Sequence, residues 1–189
     1  MVTPFRPARA RHVRACRGFT VLELLTTVSI MGILLGTAVP AMHSFAQKNR
    51  MSAHINTFVS HLHYSRSEAV KRAGNVVMCR SSNLKDCDRT SGWEQGWIVF
   101  ADRNLNRERD ESEVVLAVEQ GWQDGITVTS GRRRRVVYQP TGFSPGTNGT
   151  YVFCDPEYPE TARAVILANS GRPRLSDSRP DGGSLGCGE

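Results

Sequence analysis

Glu23 is the residue whose surroundings demand a chemical partner. In Gly18-Phe19-Thr20-Val21-Leu22-Glu23-Leu24-Leu25 it stands five residues after a glycine, at the head of a long apolar run. A carboxylate within a membrane costs roughly 2.5–3.5 kcal/mol on insertion scales, so it implies a neutralising cation. Near the other end, Ser170-Gly171-Arg172-Pro173-Arg174 sets two guanidinium groups two residues apart, a spacing suited to successive phosphates, and Arg163 and Arg179 would enlarge the patch. A solvated edge strand whose arginines discourage aggregation is the open alternative. Arg132, Arg133, Arg134 and Arg135 form a second basic run. On a strand at most two of them share a face, and an exposed hairpin tip is the plainer reading.

The segment 102–113 puts oxygen-bearing side chains at Asp102, Asn104, Asn106, Glu108, Asp110 and Glu113, the first, third, fifth, seventh, ninth and twelfth places of an EF-hand calcium loop. Arg107 occupies the place where such a loop needs glycine, the flanks read as strands, and three interleaved arginines offset the charge. A polar hairpin loop is therefore expected, with no metal. His54, His61 and His63 fall on or near one helix and read as part of its solvated face, since a metal site would want a closer spacing or a carboxylate partner. No motif links a nucleophile to a base, so no catalytic residue and no cofactor is expected. Outside the basic first 18 residues, which contain Cys16, four cysteines remain: Cys79, Cys87, Cys154 and Cys187. Three pairings are possible. The favoured one joins Cys79 to Cys87 and Cys154 to Cys187, stapling a short loop and tying the tail to a strand.

Several elements must position these groups. The chain carries a net charge of +6, but residues 1–18 hold five arginines (Arg6, Arg9, Arg11, Arg14, Arg17) and no acids, leaving 19 basic against 18 acidic residues. A positive flank stays cytoplasmic, so the chain after Phe19 is expected to be exported into an oxidising compartment. Residues 24–42 are uncharged, and at 1.5 Å each they reach about 28 Å, close to a hydrocarbon core. Gly32 and Gly36 form a Gly-xxx-Gly pair, and Pro40 sits where a kink is expected. Met51, Ile55, Phe58, Leu62 and Ala69 then form an amphipathic stripe, predicting that the helix continues to about Ala73 and is capped by Gly74. Its polar face is read as Gln47, Lys48, Asn49, His54, His61, Ser65 and Arg66. Seven β-rich runs follow, at 76–80, 96–100, 113–118, 126–129, 135–139, 150–154 and 164–168, separated by turn chemistry. The expected fold is α+β, one long helix laid on an antiparallel sheet, with a mobile tail over 176–189.

The 18–25 segment resembles the class III signal and N-terminal helix of type IV pilins and type II secretion pseudopilins. That resemblance implies cleavage by a prepilin peptidase after Gly18, N-methylation of Phe19, and pairing of Glu23 with the terminal amine of a neighbouring subunit. The head resembles the GspH/FimT group through Arg66-Ser67-Glu68-Ala69-Val70-Lys71-Arg72, Gly96-Trp97-Ile98-Val99-Phe100-Ala101-Asp102-Arg103-Asn104 and Gly142-Phe143. Within that group Gly171-Arg172-Pro173-Arg174 is similar to the Gly-Arg-x-Arg motif of FimT minor pilins that bind DNA in natural transformation. The implied organisation is a cleaved leader (1–18), a membrane helix (19–42), its amphipathic continuation (43–73), a β-rich head (74–175) and a tail (176–189). The implied function is that of a minor pilin of a type IV pilus, anchored in the bacterial inner membrane with a periplasmic head, and acting with other pilins and DNA. A pseudopilin of type II secretion is the alternative, and a membrane-tethered periplasmic enzyme a remote one.

Overall fold

The computed structural model describes residues 18–187. Residues 1–17, which contain the five N-terminal arginines and Cys16 and were expected to form a cleaved leader with Gly18, lie outside the described residues. The chain divides into two compact units, 1–44 and 45–189.

In the first unit, helix α1 (Val21–Arg72) begins. Thr20 caps it, its Oγ1 accepting the Glu23 N–H at 3.2 Å. Thr-x-x-Glu is a capping-box spacing, and an acid in the first turn also suits the helix dipole. The segment Val21–Ala38 is long and apolar enough to cross a membrane and is exposed along its length. The hydroxyls of Thr26, Thr27, Ser29 and Thr37 bond back to helical carbonyls three or four residues earlier, at 2.8–3.3 Å. Each of these hydroxyls is thereby satisfied within the helix, as a bilayer would require, and the Glu23 carboxylate is the exception. The helical backbone continues through Pro40.

In the second unit α1 runs on to Arg72, and the stripe Met51, Ile55, Phe58, Leu62 and Ala69 is buried as its periodicity predicts. The cap differs from the expectation. Ala73, not Gly74, takes the left-handed conformation (φ 49°). Ala73 N–H bonds to the Val70 carbonyl and Gly74 N–H to the Ala69 carbonyl, both at 3.2 Å, which is a Schellman closure with Gly74 one place beyond.

All seven expected strands form, as β1 (Asn75–Arg80), β2 (Gly96–Asp102), β3 (Val115–Gln120), β4 (Thr127–Thr129), β5 (Arg135–Tyr138), β6 (Gly149–Cys154) and β7 (Arg163–Leu167). An eighth, β8 (Pro173–Ser176), was not expected. They make two antiparallel four-stranded sheets instead of one, ordered β3-β2-β1-β5 and β4-β6-β7-β8. The inner faces of both sheets share one core with the helix stripe. Phe58 lies at its centre, with Trp93, Trp97, Tyr151 and Phe153 at ring separations of 5.0–5.5 Å. Each outer face has its own apolar cluster. Val77, Cys79, Ile98, Phe100 and Val137 gather beside Cys87 on the first sheet. Val152, Ala164 and Ile166 gather beside Leu185 on the second. Burial on both faces is why β1 and β2 read as continuous apolar runs.

Candidate functional site

The disulfides join those outer clusters to their coverings. Cys79 is bonded to Cys87 and Cys154 to Cys187, with Cα separations of 5.5 and 5.6 Å. The segment expected to be mobile is thus tied at Cys187, and Leu185 rests on the second sheet. Its first residue, Ser176, belongs to β8.

The arginines of 170–174 sit on a turn whose form is dictated by its glycine. Gly171 N–H bonds to the Ala168 carbonyl at 2.9 Å and Ala168 N–H to the Arg172 carbonyl at 3.4 Å, closing the hairpin between β7 and β8. Gly171 has φ +74°, and a Cβ built on it would stand 2.2 Å from the Gly142 carbonyl oxygen. Tyr138 Oη–H donates to the Gly171 carbonyl at 3.3 Å, and Ser144 N–H to the Asn169 carbonyl at 2.9 Å. The hairpin is therefore fastened to the 139–144 turn, which in turn lies on α1: a Cβ at Gly142 would meet Arg66 Nε at 3.0 Å and Val70 at 3.3 Å. Three of the motif segments picked out in the sequence converge here.

Arg174 pairs with Ile166 and Pro173 with Leu167 across the hairpin. Arg174 therefore shares the outer face of the second sheet with Ile166, while Arg172 stands in the turn immediately before β8. Both are exposed, and neither has an ion-pair partner among the described residues. Arg163 is different, being ion-paired with Asp177, an acid the sequence reading passed over. Arg179 is half-buried, its N–H bonded to the Gly183 carbonyl at 2.9 Å.

The second basic run divides by parity. Arg133 donates to the Gly146 carbonyl at 2.7 Å, and Arg135 pairs with Glu108 at 2.7 Å. Arg132 and Arg134 are exposed. Arg80 on the neighbouring strand has its pKa lowered, by burial first and then by the charge of Arg134. Two of the four arginines are structural braces, which runs of like residues in a sequence do not reveal.

The helix histidines require a correction. His61 is not on a solvated face: its Nδ1 accepts the Trp97 indole N–H at 3.2 Å, and its side chain is 18% exposed. Burial lowers its pKa, with Glu119 opposing. His54 stacks on Trp122 at 4.1 Å and its Nε2 lies 2.6 Å from Asp124 Oδ2. Ser65, also assigned to the polar face, is buried and donates to the His61 carbonyl at 2.7 Å. These polar residues lie inside because indole and backbone partners await them, which helical periodicity cannot register. His63 is exposed.

Phe19 is 85% exposed and the backbone around Gly18 is open, so the peptide bond between them stands clear of the described residues. Among those residues no group of three or more His, Cys, Asp or Glu side chains is placed to hold a metal.

Two family profiles match the chain. The one described as Type II transport protein GspH covers residues 54–171, and the prokaryotic N-terminal methylation motif covers residues 13–39. The pilin-like protein PilA1 of Thermus thermophilus is 29% identical over 174 residues, spanning 84% of this chain and 97% of the relative. Two crystal structures of the type IV minor pilin FimU of Pseudomonas aeruginosa share the fold. One has a TM-score of 0.55 at 18% identity, covering 70% of this chain and 92% of FimU. The other has a TM-score of 0.50 at 19% identity, covering 66% and 91%.

Proposed function

The chain belongs to the GspH family, within the type IV minor pilins and pseudopilins, and from that membership we propose that it is a minor pilin of a type IV pilus whose head contacts DNA through Arg172 and Arg174. The observation that carries the DNA reading is the pair of exposed arginines without ion-pair partners among the described residues, one in the turn and one on the strand of a hairpin that a glycine and a tyrosine latch hold in place. Preorganised guanidinium groups lose little freedom on meeting phosphate, and each contact releases condensed counterions. The residues outside 1–18 are close to neutral, so affinity rests on this local display and not on overall charge. Arg163, offset by Asp177, and Arg179 flank the pair. The family match ends at Gly171, so the arginines themselves are argued from their own geometry.

In this reading Gly18 and Phe19 are the processing site for prepilin peptidase, with Phe19 methylated, and Glu23 pairs with a neighbouring pilin's terminal amine in the inner membrane. The apolar helix leaves Glu23 in want of a cation, and a packed filament supplies one.

The test is a salt titration of duplex DNA binding by the full chain in detergent micelles, beside the Arg172→Ala/Arg174→Ala double variant. The expected result is binding that weakens with salt, and a log K against log salt slope shallower by roughly 2 in the double variant. Absence of binding by the oxidised, folded chain at about 50 mM salt, or an unchanged slope, would overturn the DNA contact. The family description itself favours a second reading, a type II secretion pseudopilin touching protein partners. Loss of protein secretion with DNA uptake intact, on deletion of this chain, decides for it.

A further inference from the structure

Two carboxylates are buried side by side in the head, with no basic side chain paired to either among the described residues. Asp102, 2% exposed, ends β2, and Glu113, 4% exposed, precedes β3, so the hairpin loop between the strands brings them together. Glu113 is held by backbone donors, Arg103 N–H at 2.7 Å and Asp110 N–H at 3.2 Å. Asp102 Oδ2 accepts the Arg107 N–H at 3.2 Å, the Leu105 and Asn106 N–H groups also act on this carboxylate, and its buried Oδ1 has no hydrogen-bond partner among the described residues. Burial, and then the neighbouring Glu113 charge, raise the Asp102 pKa. A pair of acids removed from water beside one another is stabilised by a cation between them.

We propose that the β2–β3 loop, residues 102–113, binds one calcium ion between Asp102 and Glu113. The donors on offer are all oxygens, and the loop contains no histidine or cysteine, which selects a hard cation. With fewer than three acids grouped, the shell is completed by asparagine amides, backbone carbonyls and water. Calcium accepts such a mixed shell of six to eight oxygens, whereas magnesium demands a regular octahedron. Asp110 Oδ2 receives the Asn104 amide at 2.6 Å and the Asn106 amide at 2.9 Å. The Asn104 and Asn106 amide oxygens accept the Asn106 and Glu108 N–H groups at 3.1 and 2.8 Å, and each keeps a second lone pair for a cation. The Glu108 side chain is drawn away to Arg135 and Arg89, leaving its carbonyl as the available donor, as at the seventh place of known calcium loops.

The objections raised by the sequence are met locally. Arg107 has φ +64° and Leu105 φ +65°, so the chain makes its left-handed turn without glycine. Arg109 is committed to Asp86 at 3.6 Å. The flanks remain strands, so this is a hairpin site and not a helix–loop–helix.

The test uses the full chain in detergent micelles, stripped with chelator and titrated with calcium chloride alone, reading binding heat and the thermal unfolding midpoint. The expected result is one saturable site with a Kd of about 0.1–1 mM, the range of extracellular calcium modules, and a midpoint that rises with calcium but not with equal magnesium. Asp102→Asn removes the buried charge while keeping an acceptor for Arg107 N–H, and should weaken binding at least about tenfold. Asp110→Asn, closer to solvent, should weaken it several-fold and serves if the first variant fails to fold. No saturable heat and no midpoint shift up to about 10 mM calcium would overturn the proposal. So would an equal shift with magnesium, or calcium binding unchanged in either variant.

Discussion

His61 shows how one side chain sets a pH dependence in the head. Its neutral ring accepts the Trp97 indole N–H, and burial holds its pKa below the ordinary 6.5. The unfolded chain binds that proton more readily, so the contribution of His61 to stability is complete above about pH 6.5 and is lost as the pH falls toward the folded-state value. Thermal unfolding of the full chain should therefore show a midpoint that declines on acidification below pH 6.5. His61→Gln, which keeps an acceptor for the indole, should flatten that decline. His54, facing Asp124, is common to both proteins, so the difference between their profiles isolates His61. Identical profiles would remove His61 as the cause. The sequence placed this histidine on the helix correctly but on the wrong face, because its partner comes from a strand 36 residues away.

At the scale of the element, the β7–β8 hairpin depends on Gly171 twice: for its left-handed φ and for the approach of the Gly142 carbonyl. Gly171→Ala should cost roughly 1–3 kcal/mol from backbone strain, plus the displacement needed to relieve a backbone overlap. Gly146 has a similar φ of +70° with nothing within 4 Å, so Gly146→Ala measures the conformational part by itself. Denaturant unfolding should show the larger loss at 171, and equal losses would refute the close approach. This hairpin was the least legible element in the sequence. Pro173 cannot donate to a ladder and the exposed arginines break the apolar alternation, so an edge strand held by one neighbour leaves no periodic trace. The other strands, each setting apolar side chains against a core cluster, announced themselves.

For the whole molecule, the proposed role joins a membrane helix to a head that presents charge, and Glu23 is where the two demands can be separated. Glu23→Ala removes a charge from the span, which lowers insertion cost by roughly 2.5–3.5 kcal/mol, while deleting the carboxylate proposed to pair between subunits. The expected outcome is a chain that stays in the membrane with its head folded, yet is missing from sheared filaments. Filaments containing the variant at the unmodified level would rule out that pairing.

The sequence by itself determined the apolar run long enough to cross a membrane, the buried stripe of α1, seven of the eight strands and the family, because each is written in local periodicity or contiguous motifs. It also held every residue of the basic pair and the acidic loop. Tertiary structure alone decided that the strands form two sheets, that Arg163 is neutralised by Asp177 while Arg172 and Arg174 have no ion-pair partner among the described residues, and that Asp102 is buried beside Glu113 with no basic side chain from those residues paired to either. Those facts depend on which distant segments meet. The free energy of a charged side chain is set by what surrounds it, and spacing along the chain does not encode that.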